Sequence, residues 1–95
     1  MIQYIIEVKI WFDKINGNTY HAVNIVNTKT NKLIYSSGLT YGYGEQYRQT
    51  AFNGLVALNL LNEKDRFNHE LLRGMLYFSV NENCLKKDLN KIEVE

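Results

Sequence analysis

The stretch Trp11-Phe12-Asp13-Lys14-Ile15-Asn16-Gly17-Asn18-Thr19-Tyr20-His21 carries the reading of the fold. Asn16-Gly17 is the dipeptide best suited to a two-residue type I′ hairpin, because both central residues of that turn need positive φ. Before it, Tyr4, Ile6, Val8, Ile10 and Phe12 are apolar while Gln3, Glu7 and Lys9 are not, the period of a half-buried strand. A turn closed by Ile15 and Asn18 sets Phe12 against His21, Ile10 against Val23 and Val8 against Ile25, so the apolar faces of the two strands agree. The opposite face then carries Trp11 across from Ala22, with Tyr20 and Lys9 beside it.

Working outward, Thr28-Lys29-Thr30-Asn31-Lys32 reads as a second hairpin loop, with Asn31 in the left-handed conformation. It sets Ile25 against Tyr35 and His21 against Leu39, with a third strand from Leu33 to Tyr41. Tyr47, Ala51, Leu55, Leu58 and Leu61, widened by Phe52 and Val56, form a helical stripe over residues 45–61. Asn62 is placed to cap a short helix over residues 63–73, with Gly74 as its stop. Residues 75–80, MLYFSV, read as a fourth strand, and Leu85, Leu89 and Ile92 have the spacing of a carboxy-terminal helix. The expected architecture is α+β: a three-stranded antiparallel meander, a long helix, a short helix, a fourth strand and a C-terminal helix, all in one compact domain over residues 1–95.

Eleven basic and ten acidic residues leave a formal charge of +1. Duplex-DNA binders that work by phosphate neutralisation carry a clear basic excess, so this balance weighs against that class. The lone Cys84 has no partner for an internal disulfide, and no Cys/His cluster has zinc-ligand spacing. No cofactor or metal is expected. Glu7 and Lys9 interrupt the apolar start well short of a membrane span, and the expectation is a cytoplasmic protein without membrane association.

The strand register brings Trp11-Phe12-Asp13, Asn18-Thr19-Tyr20-His21 and Tyr41-Gly42-Tyr43-Gly44 to one edge of the sheet, where the long helix begins. A helix amino end has unpaired N–H groups, and glycines before it let a phosphate, nucleotide or carboxylate approach the backbone. The candidate ligand or partner site is therefore Trp11, Asn18, Tyr20, His21, Tyr41, Gly42, Tyr43, Gly44, Gln46, Tyr47, Arg48 and Gln49. Tyrosines there can stack on a base, and Asn18, Gln46 and Gln49 can give neutral hydrogen bonds. The competing reading is a tight strand-to-helix turn at Gly42 and Gly44, with the tyrosines packed over the sheet end.

His21 falls on the inner face opposite Phe12 and Leu39, the setting of a hydrogen-bonded histidine at the core's edge. Asp13 could orient it, but no Ser or Cys nucleophile stands beside the pair, so no catalytic constellation is found. Gln46, Gln49, Thr50 and Asn53 give the long helix an amide-rich face with only Arg48 charged, which points to contact with something. Lys86, Lys87 and Lys91 read as a solvated face, as does His69 on its charged short helix. Trp11 and Tyr20 form an outer aromatic patch that either meets a partner or is covered by the C-terminal helix.

WFDKINGNTYHAV (Trp11 to Val23) and TYGYGEQYRQTA (Thr40 to Ala51) together resemble a group of small accessory proteins of bacteriophages and prophages. The resemblance implies provenance in a phage or related mobile element and, in the host cell's cytoplasm, binding of a host protein or a nucleotide-like ligand, including inhibition of a host defence system. Nucleic acid is the alternative partner, met by the sheet face through Trp11, Tyr20 and Lys9, and self-association through the outer face or a free edge strand is compatible with either. The resemblance brings no functional residues with it.

Overall fold

The computed structural model describes residues 1–94. Strands β1 (Tyr4–Asp13), β2 (Asn18–Asn27), β3 (Lys32–Ser36), β4 (Thr40–Tyr41) and β5 (Leu76–Asn81) form one mixed sheet, with helices α1 (Tyr47–Ala57) and α2 (His69–Met75). The spatial order is β3-β2-β1-β5, and β4 also pairs with β2. β5 lies parallel to β1, with Tyr4 beside Leu76 and Ile6 beside Phe78, so the fourth strand expected after the helices joins the antiparallel meander to make a mixed sheet.

Alternation in β1 gives one face Tyr4, Ile6 and Val8, all buried, and β2 adds Val23 and Ile25. Ala51 and Leu55 of α1 pack on this face to complete the core. A Cβ on Gly54 would lie 2.8 Å from the Tyr35 ring, so the glycine lets α1 seat directly on that side chain.

The first hairpin is longer than the type I′ turn expected. β1 and β2 pair Asp13 with Asn18, Trp11 with Tyr20 and Ile10 with His21. Asp13 is the reason: its carboxylate accepts from the Ile15 and Asn16 N–H groups and from the Asn16 amide, and its carbonyl accepts from Gly17 N–H at 2.8 Å. Gly17 alone takes the positive φ, at +70°. The slip from Phe12–His21 to Ile10–His21 is even, so every side chain keeps its face.

Asn31 adopts φ +58° in the second loop, and Ile25 pairs with Tyr35. The third strand breaks in two at Ser37-Gly38, where Gly38 has φ +71° and a Cβ would press on Lys91 at 3.0 Å. His21 consequently pairs with Thr40 rather than Leu39.

α1 is shorter than expected at both ends. At its carboxyl end Asn59 takes φ +60°, with Asn59 N–H bonded to the Val56 carbonyl and Leu60 N–H to the Leu55 carbonyl, both at 2.9 Å. That is a Schellman closure with asparagine where glycine is usual. Asn62 makes no side-chain cap and precedes only a single 3-10 turn at Glu63–Asp65. The cap of α2 is Asn68, which accepts from Leu71 N–H at 3.1 Å, and Gly74 lies inside the helix that runs directly into β5.

The expected C-terminal helix is replaced by one 3-10 turn, Lys86–Leu89, in an otherwise extended segment. It crosses the outer sheet face: Cys84 N–H bonds to the Ile10 carbonyl at 3.1 Å and Ile92 N–H to Ser36 Oγ at 2.9 Å. Leu89 is fully buried there, and Ala22 and Asn24 are buried on the same side of the sheet. Among the described residues no helix is long and apolar enough to cross a membrane.

Candidate functional site

Two places on the molecule gather polar and aromatic side chains around α1. The first is the sheet edge expected from the register. β4 brings Tyr41 opposite Tyr20, and Gly42 N–H bonds to the Thr19 carbonyl at 3.1 Å. Trp11 stacks on Tyr20 with ring centroids 5.4 Å apart, Tyr41 meets Tyr20 edge-on at 5.6 Å, and Lys86 Nζ lies 5.9 Å from the Trp11 ring. Trp11 and Tyr20 are thus half-buried by neighbours and by the C-terminal segment.

His21 is 2% exposed. Its Nε2 lies 2.7 Å from Thr50 Oγ1 and its Nδ1 3.4 Å from the Gly42 carbonyl, which ties β2 to the start of α1 and the glycine turn. Nδ1–H donating to that carbonyl leaves Nε2 to accept from the Thr50 hydroxyl, the neutral tautomer. Burial pushes the imidazole pKa down, partly offset by the carbonyl's pull on the proton. Asp13 is held by its own turn, its pKa lowered first by the Asn16 side chain, and pairs with Asn18. Its carboxylate bonds to Ile15 and Asn16 and forms no dyad with His21.

Gly42 gives the buried His21 ring its room, since a Cβ there would press on His21 Cε1 at 3.0 Å. Gly44, at φ +63°, is required by conformation. Tyr47 is buried in the core, Tyr43 is 70% exposed, and Asn18 sits in the β2 ladder. The amino end of α1 is capped by no side chain.

The second place is a cleft of about 570 Å³ between α1, α2 and β5. α1 contributes Arg48, Gln49 and Phe52, the approach to α2 contributes Arg66 and Phe67, α2 contributes His69, Leu72 and Arg73, and β5 contributes Leu76, Tyr77 and Phe78. The chain has only three arginines, and all three line this cleft. None of its lysines does, and among the described residues no carboxylate is in the lining. Of the expected site residues only Arg48 and Gln49 belong to it.

The three arginines differ in what they already hold. Arg66 donates to both Glu63 carboxylate oxygens, at 2.5 and 2.9 Å, to Asn53 Oδ1 at 2.6 Å and to Gln49 Oε1, while its guanidinium lies 4.6 Å from the Phe52 ring centroid. It fastens the Glu63–Asp65 turn to α1, and Glu63 is held below the usual carboxylate range mainly by that hydrogen bond. Arg48 Nε is 3.2 Å from Glu45 Oε1, and its guanidinium lies 4.5 Å from the Phe78 ring centroid. Arg73 makes no ion pair or side-chain hydrogen bond among the described residues.

The amide-rich face of α1 does have its contact, and the contact is within the chain. Gln49 and Asn53 accept from Arg66, Thr50 bonds to His21, and Gln46 lies against Gly42. Sequence reasoning missed Phe52, Arg66, Phe67, His69, Leu72, Arg73, Leu76, Tyr77 and Phe78. The available signal was the partition of cations: lysines are spread along the chain while the arginines fall between residues 48 and 73. Arginine's planar fork suits bidentate recognition of anions in a way lysine does not.

No protein-family model, curated protein or solved structure matches this chain. The class rests on the geometry itself: a small α+β domain with an arginine-lined cleft beside the parallel edge strand.

Proposed function

We propose that this chain is a non-enzymatic binding protein and that the arginine cleft is its ligand site. The observation that carries this is the placement of every arginine of a nearly neutral chain in one concavity with no acidic lining residue among those described. A volume of about 570 Å³ is of the size that takes a small organic molecule. Its open apolar walls, Phe67, Leu72 and Tyr77, would hold a ring or carbon skeleton, and Arg48 and Arg73 would hold an anionic group. The ligand class is a small organic anion, consistent with the accessory binding role implied by the phage resemblance.

The sheet-face alternative for nucleic acid is less favoured, because the C-terminal segment crosses the face that would present Trp11 and Tyr20. Phenyl phosphate, titrated calorimetrically, is the direct probe of the cleft. Binding that weakens with salt and is lost in Arg48→Ala/Arg73→Ala is the expected result. Binding unchanged by that double substitution would remove the cleft as the site.

A further inference from the structure

We infer that the ligand of the cleft is a nucleoside phosphate, its phosphate on Arg73 and His69 and its base on the exposed rings of Phe67 and Tyr77. This deepens the proposed function and rests on the cleft being the binding site.

The division of labour among the cations sets where the charge goes. Arg66 already makes four hydrogen bonds with a group that has five N–H donors, so it is a brace and has little left to offer. Arg48 is partly engaged by Glu45 and Phe78. His69 and Arg73 stand four residues apart on α2, which places them on one helix face. Both line the cleft, and neither side chain makes a hydrogen bond or ion pair among the described residues. A phosphate monoester brings close to two negative charges and three acceptor oxygens, matching a forked guanidinium with a second donor beside it. Arg48 lines the same cleft, and its ion pair with Glu45 is exposed, the kind of pair that a phosphate oxygen can displace.

The rings sort the same way. Phe52 is covered by the Arg66 guanidinium and Phe78 by that of Arg48, with Tyr47 at 5.8 Å. Phe67 is 75% exposed and Tyr77 is 58% exposed, and neither has an aromatic or cationic neighbour stacked on it among the described residues. They bracket α2, one just before His69 and one just after Met75, so the unpaired His69 and Arg73 lie between the open ring faces along the chain. Large exposed rings lining a cleft are stacking platforms, and every nucleobase offers a π-face to them. The cleft takes one nucleotide rather than a track of them: a net charge of +1 provides no basic stripe to follow a backbone.

Free nucleotide and the phosphorylated terminal nucleotide of a strand share this chemistry, and a calorimetric panel of AMP, UMP, adenosine, inorganic phosphate, phenyl phosphate and a 5′-phosphorylated penta-adenylate separates them. AMP is expected to bind at least about tenfold more tightly than adenosine or inorganic phosphate, in line with one stacked base and one charge-assisted contact each contributing. Arg73→Ala should weaken AMP about tenfold or more, with His69→Asn a smaller loss. Phe67→Ala should weaken AMP while leaving inorganic phosphate unchanged. All three positions are exposed, so melting temperatures near that of the parent chain are expected to accompany the losses. The pentanucleotide binding as AMP does would assign a strand end, and its failure to bind a free nucleotide; both sustain the inference. AMP no tighter than phosphate or phenyl phosphate, with Arg73 still required, would overturn the nucleotide class and leave the cleft as an anion site. Insensitivity of every probe to Arg48→Ala/Arg73→Ala would overturn both.

Discussion

The sheet edge at His21 and the cleft at Arg73 flank the same helix and draw on the same kinds of side chain, yet they stand in opposite states of completion. At the edge, His21 is bonded to Thr50 and lies against the Gly42 carbonyl, Asp13 is closed on its own turn, and Trp11 is stacked on Tyr20. In the cleft, Arg73 and His69 have no partner among the described residues, and Phe67 and Tyr77 show open ring faces. Motif density in the sequence favours the edge. Unused hydrogen-bonding capacity favours the cleft, and only the second quantity is available to a ligand.

The sharpest way to break this contrast is His21→Ala. It removes a fully enclosed side chain and leaves Thr50 and the Gly42 carbonyl without their partner, at a combined cost of about 2–4 kcal/mol. For a domain of this size that lowers the melting temperature by roughly 10 °C or more. A melt within a degree or two of the parent would show that the edge is not the structural joint described above.

Arg66→Gln tests the boundary between the two states, because Arg66 lines the cleft but is committed inward. The expected outcome is a smaller fall in melting temperature than for His21→Ala, together with weakened phenyl phosphate binding as the Glu63–Asp65 turn loosens from α1. Measuring both on one sample separates the roles. Lost affinity at an unchanged melting temperature would make Arg66 a direct anion ligand instead of a brace.

What was legible in the sequence follows the range of the interactions involved. The side-chain parity of β1 and β2, the left-handed Asn31 and the apolar stripe of α1 are local, and the chain spells them out in periods of two and between three and four residues. The hairpin length was not legible from Asn16-Gly17 alone, because the Asp13 carboxylate captures the turn and moves the positive φ to Gly17. Gly38 reads as an ordinary strand glycine until Lys91 packs against it. The cleft is the least local feature of all: it depends on β5 joining β1 in parallel, a pairing between residues some seventy positions apart that no periodicity announces. Its arginines were visible; their meeting was not.

A gentler probe of the edge is pH. His21 has its pKa pushed below 6.5 by burial, so below that value the unfolded chain binds more protons than the folded one. Stability is therefore full above about pH 6.5 and declines as the pH falls from there through the lower, folded-state pKa. His21→Asn, which has no proton to gain, should show a flatter melting profile over the same interval. Asp13 and Glu63 do not blur the comparison, since both pKa values are lowered and their contributions are lost only at more acid pH. Identical slopes in the two proteins would detach the pH response from this buried imidazole.

Tyr43→Ala is the mildest substitution and the one that separates the two regions most cleanly. Tyr43 stands within Tyr41-Gly42-Tyr43-Gly44, is 70% exposed and makes no aromatic contact among the described residues, so truncation should move stability by no more than about 0.5 kcal/mol. If the ligand sits in the cleft, phenyl phosphate binding is also unchanged, because Tyr43 does not line it. A loss of affinity without a loss of stability would transfer the site to the sheet edge, where an exposed tyrosine beside Gly44 would then be a contact in its own right. Retained affinity, set beside the loss expected for Arg73→Ala, would leave the glycine-tyrosine alternation with a structural role: Gly42 gives His21 its space, Gly44 gives the chain its turn, and Tyr47 enters the core.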